Sequence, residues 1–318
     1  MKVLVTGGAG FIGSHIVERL LKEGNSVVVL DNFSSGKESN LSFVSDYASS
    51  AVSFQMIRGD IINYEDCLKA CRGIDWITHQ AALRSVPKSM EAPHSYNAVN
   101  IDGTLNILEA AKECGVKRVV IASSSSVYGD TDQFPESESA YPLLISPYAL
   151  SKLAGEFYCR IFSENFGLET VALRYFNVFG PRQALDDEYA VVIPKFITSI
   201  LNDERPPIFG NGKQSRDFTY IDNVVEANLL AGTVEGVSGE VFNVANGCDN
   251  SVLELVQEIN KILGKSIEPE FLPLRKGDVL KTLADVTKLK EKLGFKTLVN
   301  FEEGLQRTVE YFKTANSA

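Results

Sequence analysis

The stretch of sequence that decides the fold is Thr6-Gly7-Gly8-Ala9-Gly10-Phe11-Ile12-Gly13. It follows an apolar run, residues 2–6, typical of a buried strand, and it leads into residues 10–23, whose apolar side chains recur at helical spacing. The glycine triplet is one residue wider than the common G-x-G-x-x-G pattern. Glycine here permits a tight turn, lets backbone N–H groups approach a pyrophosphate at the helix start, and allows close packing of helix on strand. The turn therefore predicts a dinucleotide-binding site.

An acidic residue, Asp31, ends the next predicted strand, residues 26–30, about 20 residues beyond the glycines. A carboxylate in this place accepts hydrogen bonds from both ribose hydroxyls and repels a 2′-phosphate, which favours NAD over NADP. Asp60 ends the third predicted strand, and two interpretations stay open for it. Either it accepts a hydrogen bond from the adenine amino group, or it caps the helix that begins near Tyr64.

Strand patterns alternate with helical patterns through the first half of the chain. The further predicted strands are residues 52–58, 74–79, 118–122 and 169–174, and the further predicted helices are residues 64–71, 99–114 and 148–166. Strands separated by helices imply a parallel sheet covered by helices on both faces. The predicted fold class is α/β, a Rossmann-type doubly wound parallel sheet with a smaller α/β substrate-binding C-terminal domain.

The domain boundary is expected where this alternation loosens. Beyond about residue 177, prolines and glycines punctuate loops and one further strand, residues 240–245, is predicted among helical segments. We therefore expect an NAD-binding Rossmann domain over residues 1–176 and a substrate-binding domain over residues 177–318, with residues 217–245 returning to the first domain.

Composition excludes several classes of partner. The 318 residues include 31 Lys and Arg against 41 Asp and Glu, a net charge of −10, without a long basic run, which argues against nucleic acid and anionic membrane surfaces. No apolar run approaches the roughly 20 residues that span a bilayer. Five cysteines without a C-x-x-C pair and three scattered histidines form no metal-ligand set, so no metal is expected. The first residues do not resemble a signal peptide, and a cytoplasmic, reduced protein is predicted.

The candidate reacting groups are a tyrosine and a lysine at helical spacing. Tyr148 and Lys152 lie four residues apart, so the ammonium can sit beside the phenol. Bringing a tyrosine from a pKa of about 10 to neutral pH requires roughly 4 kcal/mol. One positive charge at about 4 Å supplies on the order of 4 kcal/mol at an effective dielectric constant of about 20. The positive nicotinamide ring adds to this, and a hydroxyl from the serine run 123–126 can orient the same substrate oxygen.

Together these motifs resemble the extended short-chain dehydrogenase/reductase family over essentially the whole chain. The stretches that are similar to its nucleotide-sugar 4-epimerases are residues 174–183 (RYFNVFGPRQ), 215–218 (SRDF), 242–244 (FNV) and 275–278 (RKGD). Residues 146–156 (SPYALSKLAGE) with 189–195 (YAVVIPK) most resemble the UDP-N-acetylglucosamine and UDP-glucose 4-epimerases.

The resemblance implies an NAD-dependent 4-epimerase that acts through a transient 4-keto sugar. Tyr148 takes the proton of the 4-hydroxyl while NAD takes the C4 hydride, and the sugar turns over before the hydride returns. Lys152 holds the nicotinamide ribose and lowers the pKa of Tyr148. Ser124 is the predicted catalytic serine and Ser125 a second contact, with the register between them open. The helices 99–114 and 148–166 imply a homodimer.

The resemblance also assigns binding residues. Those expected at the cofactor are Gly7, Gly10, Phe11, Ile12, Gly13, Asp31, Asn32, Asp60, Ile61, Gln80, Ala81, Ala82, Asn100, Tyr148, Lys152 and Tyr175. Those expected at the UDP-sugar are Arg84, Ser125, Asn177, Val191, Val192, Phe209, Arg216, Arg275, Asp278 and Thr282.

Their implied roles differ along the substrate. Arg216 and Arg275 hold the phosphates, for which the planar guanidinium suits better than a lysine. Asp278 binds the uridine ribose, while Val192 and Phe209 contact uracil. Asn177 contacts the diphosphate or sugar.

The identity of the sugar rests on three positions. Thr282 stands where some hexose-specific epimerases carry a large Tyr, and its smaller side chain leaves room for an N-acetyl group. Arg84 replaces the Gly or Lys of relatives, and Val191 replaces their Ala or Asn. Arg84 pairs with a uronate carboxylate in one interpretation, which favours a UDP-glucuronate-type 4-epimerase, and is a solvated loop residue in the other.

Other functions are disfavoured by particular residues. A 4,6-dehydratase or a decarboxylase of the same family carries acidic residues near the segment of Ser124, Ser125 and Ser126, where this chain has serines. A non-catalytic NAD-binding module or a structural interaction protein is expected to lack Tyr148 or Lys152, and both are present.

Overall fold

The computed structural model describes residues 1–47, 52–184, 192–273 and 279–316. The strands are β1 Lys2–Thr6, β2 Ser26–Asp31, β3 Phe54–Arg58, β4 Trp76–His79, β5 Arg118–Ser124, β6 Glu169–Tyr175, β7 Val178–Phe179, β8 Pro207–Phe209, β9 Ser215–Arg216, β10 Thr219–Tyr220, β11 Glu240–Val244, β12 Asn250–Ser251 and β13 Glu270–Leu272. The α-helices are α1 Phe11–Lys22, α2 Val44–Tyr47, α3 Tyr64–Cys71, α4 Val86–Glu91, α5 Pro93–Tyr96, α6 Gly103–Glu113, α7 Pro147–Phe166, α8 Val192–Leu201, α9 Ile221–Thr233, α10 Val252–Leu263, α11 Thr287–Leu293 and α12 Phe301–Asn316. Short 3₁₀ turns cover Glu38–Leu41 and Ser125–Tyr128, and a π-helical turn, Asn97–Asp102, joins α5 to α6.

Seven strands form one parallel sheet in the order β3-β2-β1-β4-β5-β6-β11. The order reverses at β1, which pairs with β2 on one side and β4 on the other. In such sheets a ligand binds in the crevice outside the carboxyl ends of the strands, at the point of reversal. The predicted doubly wound α/β fold is confirmed, and its crevice lies where the glycine-rich turn follows β1.

The sheet is buried on both faces, as its apolar strands predict. Alternate residues of β1 pack into different cores, with Val3 and Val5 in the layer that holds Ile16 of α1, and Leu4 in the layer that holds Ile107 of α6. All five of these side chains are fully buried. Helices therefore cover both faces and fix where the carboxyl ends of the strands open.

The second half of the chain adds small sheets besides the main one. Strand β11 joins the main sheet beside β6, as the strand predicted at 240–245 allows. Within the described ranges, the other strands after residue 177 form three two-stranded sheets, β7 with β10, β9 with β12 and β8 with β13. The sequence does not predict these because each has only two or three residues, too few for a period to appear.

Two further findings concern the described residues only. None of their helices combines the length and the hydropathy that crossing a bilayer requires. They also contain no group of three or more His, Cys, Asp or Glu placed to hold a metal ion.

Candidate active site

A cleft of about 640 Å³ opens at the carboxyl ends of β1 and β4. The predicted cofactor residues that line it are Gly7, Gly10, Phe11, Ile12, Gly13, Asp31, Asn32, Asp60, Ile61, Gln80, Ala81, Ala82, Tyr148, Lys152 and Tyr175. Residues from the glycine turn, the ends of several strands and the start of α7 thus meet in one cavity.

The glycine turn leaves no room for larger side chains. Gly7 has φ +67°, and a Cβ atom there would lie 2.8 Å from the backbone nitrogen of Ala81. A Cβ at Gly13 would lie 2.2 Å from the carbonyl oxygen of Gly7. Gly10 is the N-cap of α1 and has no side chain with which to cap it, while Phe11 and Ile12 of the first turn line the cleft. The residues present therefore fit a dinucleotide whose pyrophosphate accepts hydrogen bonds at a helix N-terminus.

The carboxylate of Asp31 is held in place by backbone N–H groups. Its exposed fraction is 7%, one oxygen accepts from the nitrogen of Ala9 at 2.9 Å, and the other accepts from Phe33 at 2.8 Å. Each oxygen keeps a further lone pair. Asp31 is thus a fixed acceptor at the edge of the cleft, as ribose binding requires.

Asp60 is hydrogen-bonded to Asn32, the residue after Asp31, and is not the N-cap of a helix. Asn32 donates to its Oδ2 at 2.8 Å. The N-cap of α3 is Asn63, whose side chain accepts from the nitrogen of Glu65 at 3.1 Å. The capping interpretation of Asp60 is therefore wrong, and its carboxylate lines the cleft.

A chain of hydrogen bonds behind the cleft fixes the tautomer of His79. Thr104 donates to the carbonyl of Asn100 at 2.7 Å, so its oxygen accepts from Nε2–H of His79 at 3.1 Å. Nδ1 then accepts from the hydroxyl of Thr6 at 2.7 Å, and Thr6 accepts from the nitrogen of Ala81 at 3.2 Å. Burial, together with the charge of Lys152, lowers the pKa of His79 to about 3. The ring is neutral and orients the segment that follows β4.

Asn100 orients this segment and does not line the cleft. It is 2% exposed, its Nδ2 donates to the carbonyl of Leu83 at 2.9 Å and to Ser151 at 3.0 Å, and its Oδ1 accepts from the nitrogen of Leu83 at 2.8 Å. The sequence predicts cofactor contact for this residue. In the structure Asn100 instead holds the wall of the cleft through these hydrogen bonds. It lies in a π-helical turn, a feature often found at functional sites.

Gln80 and Tyr175 are joined at the floor of the cleft. The Tyr175 hydroxyl lies 3.2 Å from Gln80 Oε1 and 2.8 Å from the Nδ2 of Asn228. Asn228 is fully buried on α9, and sequence reasoning missed it because its partners are about 50 to 150 residues away in the chain. The contact is one way in which the second half of the chain supports the cofactor cleft.

Tyr148 sits in the first turn of α7. Ser146 caps this helix by accepting from the nitrogen of Ala149 at 3.1 Å, and Pro147 occupies the position where a missing N–H costs nothing. The Tyr148 ring packs edge to face with Tyr96 at 6.2 Å between centroids. Tyr96 in turn donates to the carbonyl of Ser85 at 3.0 Å. The capped helix and the second ring fix the phenol in the cleft.

Burial and two neighbouring side chains act on the pKa of Tyr148 in opposite directions. Loss of hydration raises it, whereas a hydrogen bond with Ser124 and the charge of Arg84 act in the lowering direction. Lys152 lies 6.0 Å from the centre of the Tyr148 ring and donates to the carbonyl of Ala122 at 2.9 Å. Its ammonium donates to this carbonyl, and the lowering effect of Lys152 on the pKa of Tyr148 stays a prediction. Loss of hydration lowers the pKa of Lys152 itself to about 8.

The structure distinguishes the two candidate serines. Ser124 ends β5 and accepts from both the backbone nitrogen and the hydroxyl of Ser126, at 3.2 and 3.0 Å. With its lone pairs engaged, the Ser124 hydroxyl remains a donor toward Tyr148. Ser125 begins the following 3₁₀ turn. The register with Ser124 at the tyrosine is the one that the geometry favours.

Several lining residues were missed by sequence reasoning. They are Leu30, Ser34, Ser35, Lys37, Ser39, Asn40, Gly59, Leu83, Val99, Ala122, Ser123, Arg182, Gln183, Ala184, Tyr311 and Phe312. Residues 34–40 directly follow Asp31 and Asn32 at the carboxyl end of β2, and that position is a signal that could have found them.

The predicted sugar-pocket residue Thr282 is tied to two other elements. Its hydroxyl oxygen accepts from the Nδ2 of Asn177 at 3.0 Å and from the nitrogen of Asp217 at 3.2 Å. Asn177 adopts a positive φ of 29°. Thr282 and Asn177, both predicted to contact substrate, are thus brought together.

Two buried carboxylates, which the sequence did not single out, hold the segment that carries Thr282. Glu136 accepts from the nitrogen of Leu283 and Asp217 from the nitrogen of Ala284, both at 3.3 Å. Burial raises the pKa of Glu136 to about 8 and that of Asp217 to about 7. Their side chains are 3% and 0% exposed.

The remaining predicted substrate residues are distributed around this region. Arg84 is exposed and lines the same cleft as Tyr148. Phe209 ends β8, Arg216 lies in β9 and donates to the carbonyl of Ser215 at 2.8 Å, and Val192 begins α8. Three predicted substrate residues lie outside the described residues, namely Val191, Arg275 and Asp278.

The sheet order and the cleft define a dinucleotide-binding protein of the Rossmann class. The chain belongs to the NAD dependent epimerase/dehydratase family, whose model matches residues 3–245. This confirms the family predicted from the motifs.

Similar proteins include 4-epimerases of three UDP-sugars. The chain is 39% identical to the UDP-glucose 4-epimerase of Mycolicibacterium smegmatis, over 98% of this chain and 99% of that protein. The structure of UDP-N-acetylglucosamine 4-epimerase from Methanobrevibacter ruminantium M1, in complex with UDP-N-acetylmuramic acid, has a TM-score of 0.92 and 42% identity over 99% of this chain and 98% of that one. UDP-glucuronic acid 4-epimerase from Bacillus cereus, in complex with UDP-glucuronic acid and NAD, has a TM-score of 0.89 and 36% identity over 99% of this chain and 100% of that one.

Proposed function

We propose that this protein is an NAD-dependent isomerase that inverts C4 of a UDP-hexose, either UDP-GlcNAc and UDP-GalNAc, UDP-Glc and UDP-Gal, or both pairs. The observation that carries the proposal is the meeting of Tyr148 and Lys152 with the glycine turn in one cleft. A dinucleotide on the turn and a sugar at the tyrosine would then be neighbours.

The chain's residues supply proton transfer and positioning. Bound NAD supplies the chemistry of accepting a hydride from C4 and giving it back. Tyr148 accepts the proton of the 4-hydroxyl and later returns it. The single O–H of Ser124, which is directed to the tyrosine before the sugar binds, turns to donate to the same sugar oxygen. Lys152 holds the nicotinamide ribose, and its position against the Ala122 carbonyl keeps it beside the cofactor. Ser125 is a second contact of the sugar in this scheme.

The UDP moiety is assigned to residues of the second half of the chain. Arg216 and Arg275 hold the two phosphates, Asp278 the uridine ribose, and Val192 and Phe209 the uracil. Residues 177–318 then act as the nucleotide-sugar-binding domain on the Rossmann domain of residues 1–176, to which residues 217–245 return. The motifs that these residues occupy support the assignment of the UDP moiety. The pairing of β11 with β6 supports the return of residues 217–245 to the Rossmann domain.

The sugar is the open part of the proposal. Thr282, small and held by Asn177, leaves room for an N-acetyl group, and Val191 adjoins the uracil-contacting residue in the sequence. A second candidate, a UDP-glucuronate-type 4-epimerase, is favoured by Arg84, whose charge acts on Tyr148 and thus lies near the reacting sugar. A guanidinium there pairs with a carboxylate at C6.

We also propose a cytoplasmic homodimer. Helix α7 exposes apolar side chains at Leu150, Phe157 and Ile161, with exposed fractions of 51%, 56% and 44%. Their spacing places them on one helical face, which a partner subunit would cover. Helix α6 packs beside α7 and is expected to complete the interface.

The test compares UDP-glucose, UDP-N-acetylglucosamine and UDP-glucuronate side by side with purified protein and no added cofactor. Formation of the 4-epimer from UDP-glucose or UDP-N-acetylglucosamine supports the proposal. Reaction of UDP-glucuronate alone favours the second candidate, and CO₂ release or loss of water from the sugar would replace both. Reaction of UDP-glucose alone would show that Thr282 does not enlarge the pocket.

A further inference from the structure

Arg182, beside the cofactor cleft, contacts two separate elements of the Rossmann half. Its guanidinium donates to the carboxylate of Glu18 and to Nδ1 of His15 at 3.2 Å, both on α1. It also donates to the carbonyl oxygen of Asn40 at 3.3 Å and lies 5.1 Å from the centre of the Phe43 ring. Arg182 itself has a φ of +63°, which is unusual for a residue with a side chain.

The hydrogen bonds of His15 can be assigned a direction. A guanidinium only donates, so Nδ1 of His15 accepts from Arg182. The proton therefore sits on Nε2, which donates to the carbonyl of Pro181 at 2.9 Å. Loss of hydration and the charge of Arg182 lower the pKa of His15 to about 3, so the ring stays neutral and keeps both bonds. His15 is thus hydrogen-bonded to two consecutive residues, Pro181 and Arg182, of the segment that follows β7.

These contacts connect three walls of the cleft. Arg182, with the two residues that follow it, forms one wall, and Asn40, in the loop after β2, belongs to another. Asn40 also donates through Nδ2 to the carbonyl of Ala9, within the glycine turn. The third wall is the start of α1, the helix that carries His15 and Glu18. At Arg182, therefore, the segment that follows β7 meets both the loop after β2 and helix α1. The loop lies on the proposed adenosine side of the cofactor and the helix on its proposed pyrophosphate side.

We propose that the Arg182 cluster, namely Arg182, Glu18, His15 and Asn40, holds the cleft walls together around the bound dinucleotide and sets the rate at which the cofactor leaves. The inference rests on the proposed function in that NAD is the group retained. A cofactor that is regenerated in every turnover has no need to leave, so slow release serves such an enzyme. The cluster is separate from Tyr148 and Ser124, and it therefore acts on retention and not on proton transfer.

The experiment measures the release of NAD from the purified holoenzyme, by dilution into an NAD-trapping enzyme and by the NAD content after gel filtration. Arg182→Ala and Glu18→Ala are compared with wild type. Arg19→Ala is the matched control, because Arg19 lies on the same helix and also pairs across elements, with Glu226 at 3.1 Å, but does not line the cleft. We expect about tenfold faster release or more in the first two variants, equivalent to about 1.4 kcal/mol, and wild-type release in Arg19→Ala.

The outcomes separate the inference from the proposed function. Wild-type release rates in folded Arg182→Ala overturn the inference while leaving the 4-epimerase proposal standing. If Arg182→Ala does not fold, Glu18→Ala decides, because its carboxylate is partly exposed at 33% and its loss removes the same ion pair. Arg182→Lys, which keeps the charge but not the fork, is expected to fall between wild type and Arg182→Ala. Equal acceleration in Arg19→Ala would show a general loosening of α1, which also contradicts the inference, and wild-type protein that binds no NAD would overturn both proposals.

Discussion

Tyr148, the proposed proton acceptor, lies where its own ionisation is difficult. Loss of hydration raises its pKa, and the two nearby influences that oppose this are Ser124 and Arg84. Lys152 instead donates to the Ala122 carbonyl. The tyrosine therefore depends on the positive charge around it, part of which comes from oxidised NAD in the proposed mechanism.

Replacing Tyr148 by Phe removes the proton transfer and little else. The ring contact with Tyr96 can persist, so folding and NAD retention are expected to stay near wild type. Turnover is expected to fall by roughly 10² to 10⁴-fold, the usual contribution of a positioned acid or base. Steady-state rates with UDP-sugar, beside NAD content and melting temperature, check this. A wild-type rate would mean that another group takes the proton.

Arg84 gives a second prediction, with a defined sign. Its positive charge lowers the pKa of Tyr148, so Arg84→Met is expected to raise that pKa and move the rising limb of the kcat profile to higher pH. Arg84→Lys keeps the charge and should restore most of the shift. The measurement is kcat for UDP-glucose against pH. A profile that stays in place in Arg84→Met would remove Arg84 from the activation of Tyr148.

At the scale of elements, the parts that could be predicted are those with a local period. Strand β1, helix α3 and the glycine turn between β1 and α1 follow from apolar spacing and glycine chemistry, and their predicted bounds lie close to those found. Asp31 and Tyr148 follow from their position relative to these elements. Local pattern was sufficient there because burial and backbone geometry both act over neighbouring residues.

The parts that could not be predicted depend on contacts between distant segments. Asn100, which is hydrogen-bonded to Leu83, lies in a π-helical turn. The spacing of apolar residues does not predict such a turn. The carboxylates of Glu136 and Asp217 hold the segment of Thr282 by hydrogen bonds that span 147 and 67 residues of sequence. The two- and three-residue strands of the small sheets form because each pairs with a strand elsewhere in the chain. The local sequence of one strand does not indicate which segment it pairs with.

Two histidines predict loss of stability in acid, the partly buried His15 within α1 and the buried His79 at the end of β4. The pKa of both His15 and His79 is lowered to about 3, against about 6.5 in an unfolded chain. The unfolded state therefore binds more protons between these values, and the stabilisation present above pH 6.5 is lost as the pH falls toward 3. Each neutral histidine adds at most about 1.4 kcal/mol per pH unit to this slope.

Urea unfolding at several pH values between 7 and 4 measures the slope. His79→Gln, which can keep one of the two hydrogen bonds, should be less stable at pH 7 but lose less on acidification. His94, for which no such packing occurs, provides the control variant His94→Gln. An equal slope in wild type and His79→Gln would contradict the buried neutral ring.

At the scale of the whole molecule, an acidic protein is proposed to hold two anions. The net charge of −10 disfavours polyanion surfaces but does not oppose ligands that are bound locally. The first turn of α1 is proposed to bind the pyrophosphate of NAD. Arg216 with Arg275 is proposed to bind that of the UDP-sugar. The net charge of the protein therefore does not determine which anions it binds, because a few local residues do so in the proposal.

The exposed face of α7 predicts the state of assembly. Phe157→Lys places a charge in the centre of the apolar face formed with Leu150 and Ile161, and is expected to shift a dimer toward monomer. Sedimentation velocity or light scattering at several concentrations measures this. The control is Lys313→Glu, also a charge change on an exposed helix. Monomeric wild-type protein at all concentrations would reject the homodimer.

In the proposed mechanism, one bound NAD removes a hydride from C4 and returns it to the same carbon. The most direct measurement follows UDP-[4-²H]glucose and UDP-[4-²H]N-acetylglucosamine by NMR with purified protein and no added cofactor. We expect that at least one of them gives the 4-epimer with deuterium retained at C4. Absence of any 4-epimer, or a 4-epimer whose C4 deuterium has exchanged with solvent, would contradict it.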